Sequence, residues 1–218
     1  MDQNRLIRQK YLSQKMLLDM EQQQKVQFIN SVIGFKSVCL IGTQNKAQQT
    51  NVAIFSSLIH IGSNPPLFGI VFRPNTVERH TLENILNTGC YTINHIHEQM
   101  HQQAHQTAAR YDRNTSEFDA TGLTPEYKND FFAPFVQESR VQLAMELRDK
   151  ITLSINNTEL IIGEIKEMYF PEAGLQKDGF LDIEQLGTIT CSGLDSYHKT
   201  TQIARWSYAK PDKPISVI

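Results

Sequence analysis

Two stretches of this chain hold residue types that could do chemistry. The first runs His97-Glu98-Gln99-Met100-His101, with His95 just before it and His105 four residues on. Two histidines one helical turn apart can present their imidazoles to one zinc ion, while the glutamate between them handles a water proton. A catalytic zinc also needs a third protein ligand, and nothing singles out His105 or Glu117 for that part. A metzincin-like continuation would place Gly at 104 and His at 107, where this chain has Ala104 and Thr107. The segment reads as polar on nearly every face, whereas an active-site helix should have an apolar back to bury. The expectation is no metal site and a mostly solvated outer helix, with a zinc metalloprotease as the alternative reading of the motif.

The second stretch gathers Arg73, Asn75, Thr76, Arg79, His80 and Thr81 at a predicted helix start. A helix N-terminus offers unpaired amides and the positive end of the macrodipole. Two arginines, a histidine and two threonines added to it make an anion pocket, and a phosphomonoester is its natural guest. The same residues would also serve as a capped surface helix with flanking charges. Asn75 or Thr81 is the expected N-cap, and Gly89 the C-terminal stop.

The elements that must hold these groups are mainly strands. "FKSVCLIGT", "NVAIFSSLIHIG", "LFGIVFRP" and "CYTINHI" are β-rich segments, with "SNPP" as a break between the second and third. "RVQLAMELRDKITL" and "TELIIGEIKEMYF" are two more, joined by a turn at Asn156 and Asn157. Residues 5–30 are predicted as one helix, with a Gln run on a solvated face, packed against the main domain or a second subunit. Strands do not alternate with helices, so the expected class is mainly β, an antiparallel barrel with peripheral helices. The division is 1–30 as a helical extension and 31–218 as the barrel domain.

Bulk composition narrows the partners. A formal net charge of −2, from 21 basic and 23 acidic residues, gives no footprint for nucleic acid or anionic lipid. Cys39, Cys90 and Cys191 form no CxxC pair and read as reduced thiols, which, with no signal-peptide pattern at the start, points to the cytoplasm. No apolar run approaches the ~20 residues of a membrane span.

The segment from Gly42 to Asn94 resembles the flavin reductase-like family, whose domain is an FMN-binding split β-barrel. The resemblance rests on Gly42-Thr43, Asn51, Ala53, Phe55-Ser56, Pro65-Pro66, Thr81, Asn84-Ile85, Thr88-Gly89, and Tyr91, Ile93 and Asn94. Downstream, "SEFDATGLTP" and "GLDSYHKTTQIARWSYAKP" resemble the family's EF…GL loop and its Tyr-containing C-terminal run, so the likeness spans 31–211. Many members carry Pro where Ile54 stands, and the second of two C-terminal tyrosines is His198 here. The resemblance implies that Asn51, Ala53, Ile54, Phe55, Ser56 and Ser57 line the flavin ring and ribityl chain. It assigns the phosphate to Arg73, Asn75, Thr76, Arg79, His80 and Thr81. It further implies an NAD(P)H:flavin oxidoreductase in which FMN carries the chemistry and NADH or NADPH is the reductant. No GxGxxG follows a strand, so no Rossmann site is expected for the nicotinamide. A homodimer and an oxygenase partner complete the expectation, with a non-catalytic FMN carrier or sensor as its rival.

Overall fold

The computed structural model describes residues 9–74 and 79–218. Within them the N-terminal arm is two helices, α1 (Gln14–Leu18) and α2 (Gln22–Val32), where one was expected. The break has a local cause. Ser13 Oγ accepts from Met16 N at 3.2 Å to start α1, and Glu21 Oε2 accepts from Gln24 N at 3.0 Å to start α2. Glu21 is extended, at φ −54° and ψ 140°, so a second cap in mid-run opens a second helix. Neither helix buries a side chain.

Twelve strands follow: β1 (Lys36–Ser37), β2 (Cys39–Gln44), β3 (Thr50–Phe55), β4 (Leu58–Ser63), β5 (Pro66–Phe72), β6 (Cys90–His95), β7 (Pro125–Glu126), β8 (Phe135–Val136), β9 (Gln142–Leu153), β10 (Thr158–Tyr169), β11 (Thr190–Ser192) and β12 (Ser196–His198). Between them lie α3 (His80–Thr88), α4 (His101–Gln106) and α5 (Glu117–Thr121). Seven strands form one antiparallel sheet in the order β3-β2-β6-β9-β10-β5-β4. Its two edge strands, β3 and β4, are joined by Ser56 and Ser57 alone. Three Cα–Cα steps span no more than about 11 Å. The two edges of the sheet must therefore meet at the serine pair, and the sheet curls into the expected barrel.

Every residue of β2 is buried, but alternate residues serve different cores. Cys39 and Ile41 point into the barrel with Ile70, Tyr91, Ile93 and Ile161. Val38 and Leu40 point outward onto Val52, Met100, Ala104 and Phe118. The histidine segment thus has an apolar back after all, Met100 and Ala104. Pattern counting missed it because the segment changes pitch: Glu98–Met100 is a 3₁₀ turn and α4 starts only at His101.

The turns follow the sequence more closely. Asn64 and Pro65 turn the β4–β5 hairpin, with Ser63 paired to Pro66. Asn157, in the left-handed region at φ 56°, turns β9 into β10. Gly89 ends α3 at φ 75°, its N–H donating to the Ile85 carbonyl. The start of α3 is a correction. Its cap position is Arg79, which makes no side-chain cap bond, and Thr81 lies inside the helix; Asn75 is outside the described residues. Among the described residues no helix is long and apolar enough to cross a membrane.

Candidate functional site

The seam of the barrel opens into a cleft of about 990 Å³, walled by Ala53 to Leu58 on one side and by Ile29, Ile33 and Phe35 on another. That volume is in the range of sites for small ligands and cofactors. Ala53 through Leu58 are all half-buried, directly after the buried Asn51 and Val52 of the same strand, as the floor of a cleft should be.

The backbone of this floor has unspent hydrogen-bonding capacity. Strand β3 is a sheet edge, paired only with β2. The Val52 N–H points away from β2, because Glu117 Oε2 accepts from it at 3.3 Å. By the two-residue period of a strand, the Ile54 peptide points the same way, into the cleft. A flat heteroaromatic edge with its own donors and acceptors can complete that edge. The Phe55 side chain turns the other way, edge-on to Phe72 at 4.8 Å in the barrel core, so Phe55 offers backbone only. Ser57 Oγ donates to the Val71 carbonyl at 2.7 Å, which leaves its oxygen able to accept.

One end of the cleft is cationic. Arg73 lines it, and Arg79 lies close enough to feel both Arg73 and Arg110. Desolvation first, and then those two positive neighbours, hold the Arg79 guanidinium below its usual range. Its Nη2 donates to the Pro74 carbonyl at 3.3 Å, while its buried Nε has no partner among the described residues. An anion beside this helix start would offset the mutual repulsion of Arg79 with Arg73 and Arg110. Arg110 was not foreseen. It follows α4 in "TAARYDRN", and no local spacing ties it to Arg73 or Arg79.

Asn51, His80 and Thr81 are brought together, but away from this cleft. The Asn51 amide lies 2.9 Å from the Thr81 hydroxyl. In the orientation that satisfies both ends of the amide, Nδ2 donates to the Glu117 carboxylate at 3.3 Å and Oδ1 accepts from Thr81. Asn84 Nδ2 donates to Thr43 Oγ1 at 3.1 Å beside them. Burial pushes the Glu117 carboxyl up, and His80 stands near it. These residues form a polar knot that ties β2, β3, α3 and α5 together. It fixes where α3 begins, and so where Arg79 points. Asn75 and Thr76 lie outside the described residues.

The histidines are each engaged separately. His97 is the N-cap of the 3₁₀ turn, with Nδ1 accepting from Gln99 N at 3.2 Å and Nε2 2.9 Å from the Glu138 carbonyl. His101 opens α4 with Nδ1 2.6 Å from the Glu98 carbonyl. His97 and His101 therefore do not share one helix face. His95 is half-buried, its Nδ1 3.1 Å from Thr188 Oγ1, and desolvation pushes its imidazole down to about 4. Among the described residues, no three His, Cys, Asp or Glu side chains gather as a metal site.

A model of the flavin reductase like domain matches residues 35–184 of the chain. The chain belongs to the flavin reductase-like family. A candidate flavin reductase with a split barrel domain from Shewanella frigidimarina NCIMB 400 is 49% identical, with a TM-score of 0.89, covering 92% of this chain and 100% of that one. Nitrilotriacetate monooxygenase component B from Bacillus cereus shares the family fold at 21% identity and a TM-score of 0.78, covering 89% and 97%. An uncharacterised protein of Aquifex aeolicus (strain VF5) is 25% identical over 126 residues, 57% of this chain. That match spans 63% of the relative's length, under two thirds. The antiparallel barrel with a seam described above is thus the split barrel of the flavin reductase-like family.

Proposed function

We propose that the protein binds FMN in the seam cleft and acts as an NAD(P)H-dependent flavin reductase. The observation that carries this reading is the pairing of a half-buried floor at Ala53–Ser57 with Arg73 on the cleft wall and Arg79 within its electrostatic reach. An isoalloxazine edge fits the open β3 backbone, and the dianionic phosphate fits Arg73, Arg79 and Arg110. FMN, when bound, would accept hydride from a nicotinamide at its N5. The chain's part is to hold the ring, neutralise the phosphate and leave one ring face open to a second ring at near-attack distance, about 3–3.5 Å. Ile29, Ile33 and Phe35 give that space an apolar wall. Free flavin, ferric iron or a partner oxygenase would then take the electrons.

The test is anaerobic. Protein loaded with FMN is mixed with NADH and, separately, with NADPH, and the flavin absorbance is followed. Bleaching with either one is the expected result. A flavin that binds tightly and stays oxidised with both would mark a carrier and overturn the reductase reading.

The same proposal includes a homodimer in a cytoplasmic setting. Ile33 and Phe35, both lining the cleft, are each 72% exposed, and Val32 beside them is 66% exposed, a costly arrangement for a lone chain. Sedimentation equilibrium at micromolar concentration should give twice the chain mass, and a single monomeric species would remove the dimer.

A further inference from the structure

The cleft also holds a polar pair that flavin binding leaves unexplained. Tyr197, on β12, and His105, on α4, both line the cleft, and the Tyr197 hydroxyl lies 2.7 Å from His105 Nδ1. The phenol ring is gripped edge-on by two imidazoles, His101 at 5.8 Å and His105 at 5.7 Å between centroids. Tyr197 packs on the same core cluster as Ile54 of the cleft floor. Its partner across the β11–β12 ladder, Cys191, lies in the same cleft lining as Ser56. The hydroxyl is therefore held beside the floor on which the flavin ring would lie.

Two features define what this pair could serve. His105 is exposed while Tyr197 is half-buried, so the pair leads from solvent into the cleft. Imidazole Nδ1 accepts the phenol proton in one tautomer and donates in the other, so a proton can pass either way. The phenol stays neutral, because desolvation, then Cys191 and Asp195, push it up to about 12. Lys36, also on the cleft wall, donates to the Gly193 carbonyl at 2.6 Å. With Ile29, Ile33 and Phe35 lining the same cleft, the seat suits a flat, largely apolar molecule with one acceptor oxygen.

We propose that Tyr197, recharged through His105, is a catalytic acid for a neutral conjugated carbonyl compound reduced in this cleft. The inference rests on the flavin reading above. Reduced flavin, when bound and recharged by NAD(P)H, would supply the hydride that forms a C–H bond at the β-carbon as the C=C π bond breaks. The Tyr197 proton goes to the α-carbon or carbonyl oxygen. The phenolate takes a proton from His105 Nδ1, and the imidazole takes one from water at its other ring nitrogen. The substrate gains two electrons and two hydrogens, and the flavin returns to its oxidised state.

The test uses full-length FMN-loaded protein, reduced with one equivalent of dithionite and mixed anaerobically with benzalacetone. The flavin colour should return as the saturated ketone appears. Tyr197→Phe, which keeps the ring between the imidazoles, should lower the rate of this step relative to NAD(P)H-driven bleaching by about 100-fold, the usual weight of a positioned acid. His105→Gln, at an exposed position, should lower the same ratio less. A readout without turnover is the carbonyl stretch of acetophenone, an unreactive ketone, bound to the oxidised protein. It should fall in frequency in the parent and not in Tyr197→Phe. The proposal fails if benzalacetone leaves the flavin reduced, if Tyr197→Phe slows both steps alike as a mere structural pin would, or if the stretch is the same in both proteins. Protein that takes up no FMN would sink the underlying reading as well, and the titration that loads the flavin shows which has failed.

Discussion

Arg79→Ala should weaken FMN binding by about 10- to 150-fold, from the ~1.5–3 kcal/mol of a lost charge-assisted hydrogen bond, and leave riboflavin binding nearly unchanged. The two ligands differ only at the phosphate, so fluorescence titration with each isolates the contact. The flavin-free protein gives an independent check. There Arg79 is a partly desolvated cation facing Arg73 and Arg110 with its Nε unmatched. Removing it relieves repulsion, so the melting temperature of the flavin-free protein should hold or rise as FMN affinity falls. A guanidinium placed for packing would show the reverse. Arg79→Lys should recover part of the affinity, since it keeps the charge and loses the planar fork. Equal weakening of FMN and riboflavin would remove the phosphate assignment.

Thr81 illustrates why the anion end was only partly legible in the sequence. A threonine near a helix start reads as a cap or a phosphate ligand, because both roles use a short hydroxyl beside free amides. Which one it takes depends on a partner 30 residues away, Asn51, and no local pattern reports that. Arg110 was hidden for the same reason. Its importance comes from where α4 ends over the cleft, a consequence of Met100 and Ala104 packing on Leu40 and Phe118. What local spacing did reveal was the strands of the seven-stranded sheet, the turns at Asn157 and Pro65, and the Gly89 stop, each governed by backbone conformation within a few residues. The barrel class followed from those elements, and the closure at Ser56 and Ser57 did not, since it depends on which strands lie at the edges. The histidine stretch divides along the same line. Its metal spacing was formal, because the backbone changes pitch between His97 and His101, while His105 reaches a tyrosine 92 positions on.

Gly42→Ala should be the most damaging single substitution for stability, and it shows what the Gly42-Thr43 pair does for the site. A Cβ on Gly42 would stand 2.2 Å from the Pro134 carbonyl oxygen and 2.5 Å from Thr92 Oγ1. The first of these is backbone and cannot swing aside. Thr92 Oγ1 donates to that same carbonyl at 2.7 Å, so a methyl group there also breaks a buried hydrogen bond. Overpacking of this kind costs about 1–3 kcal/mol, and a severed buried bond adds about 1–3 kcal/mol more. The sum is a large share of the roughly 5–15 kcal/mol that holds a domain together. Strand β2 would have to move away from Pro134 and carry Thr43 with it, loosening the knot with Asn84 that sets the start of α3. FMN affinity should therefore fall together with the denaturation midpoint, and riboflavin affinity should fall as well, because here the whole floor shifts. Gly62→Ala is the control. Its Cβ would meet only the Pro65 carbonyl, at an ordinary 3.5 Å, and chemical denaturation should place it close to the parent. A Gly42→Ala protein with the parent's midpoint would mean that β8 and β2 do not approach as closely as the Thr92–Pro134 contact requires.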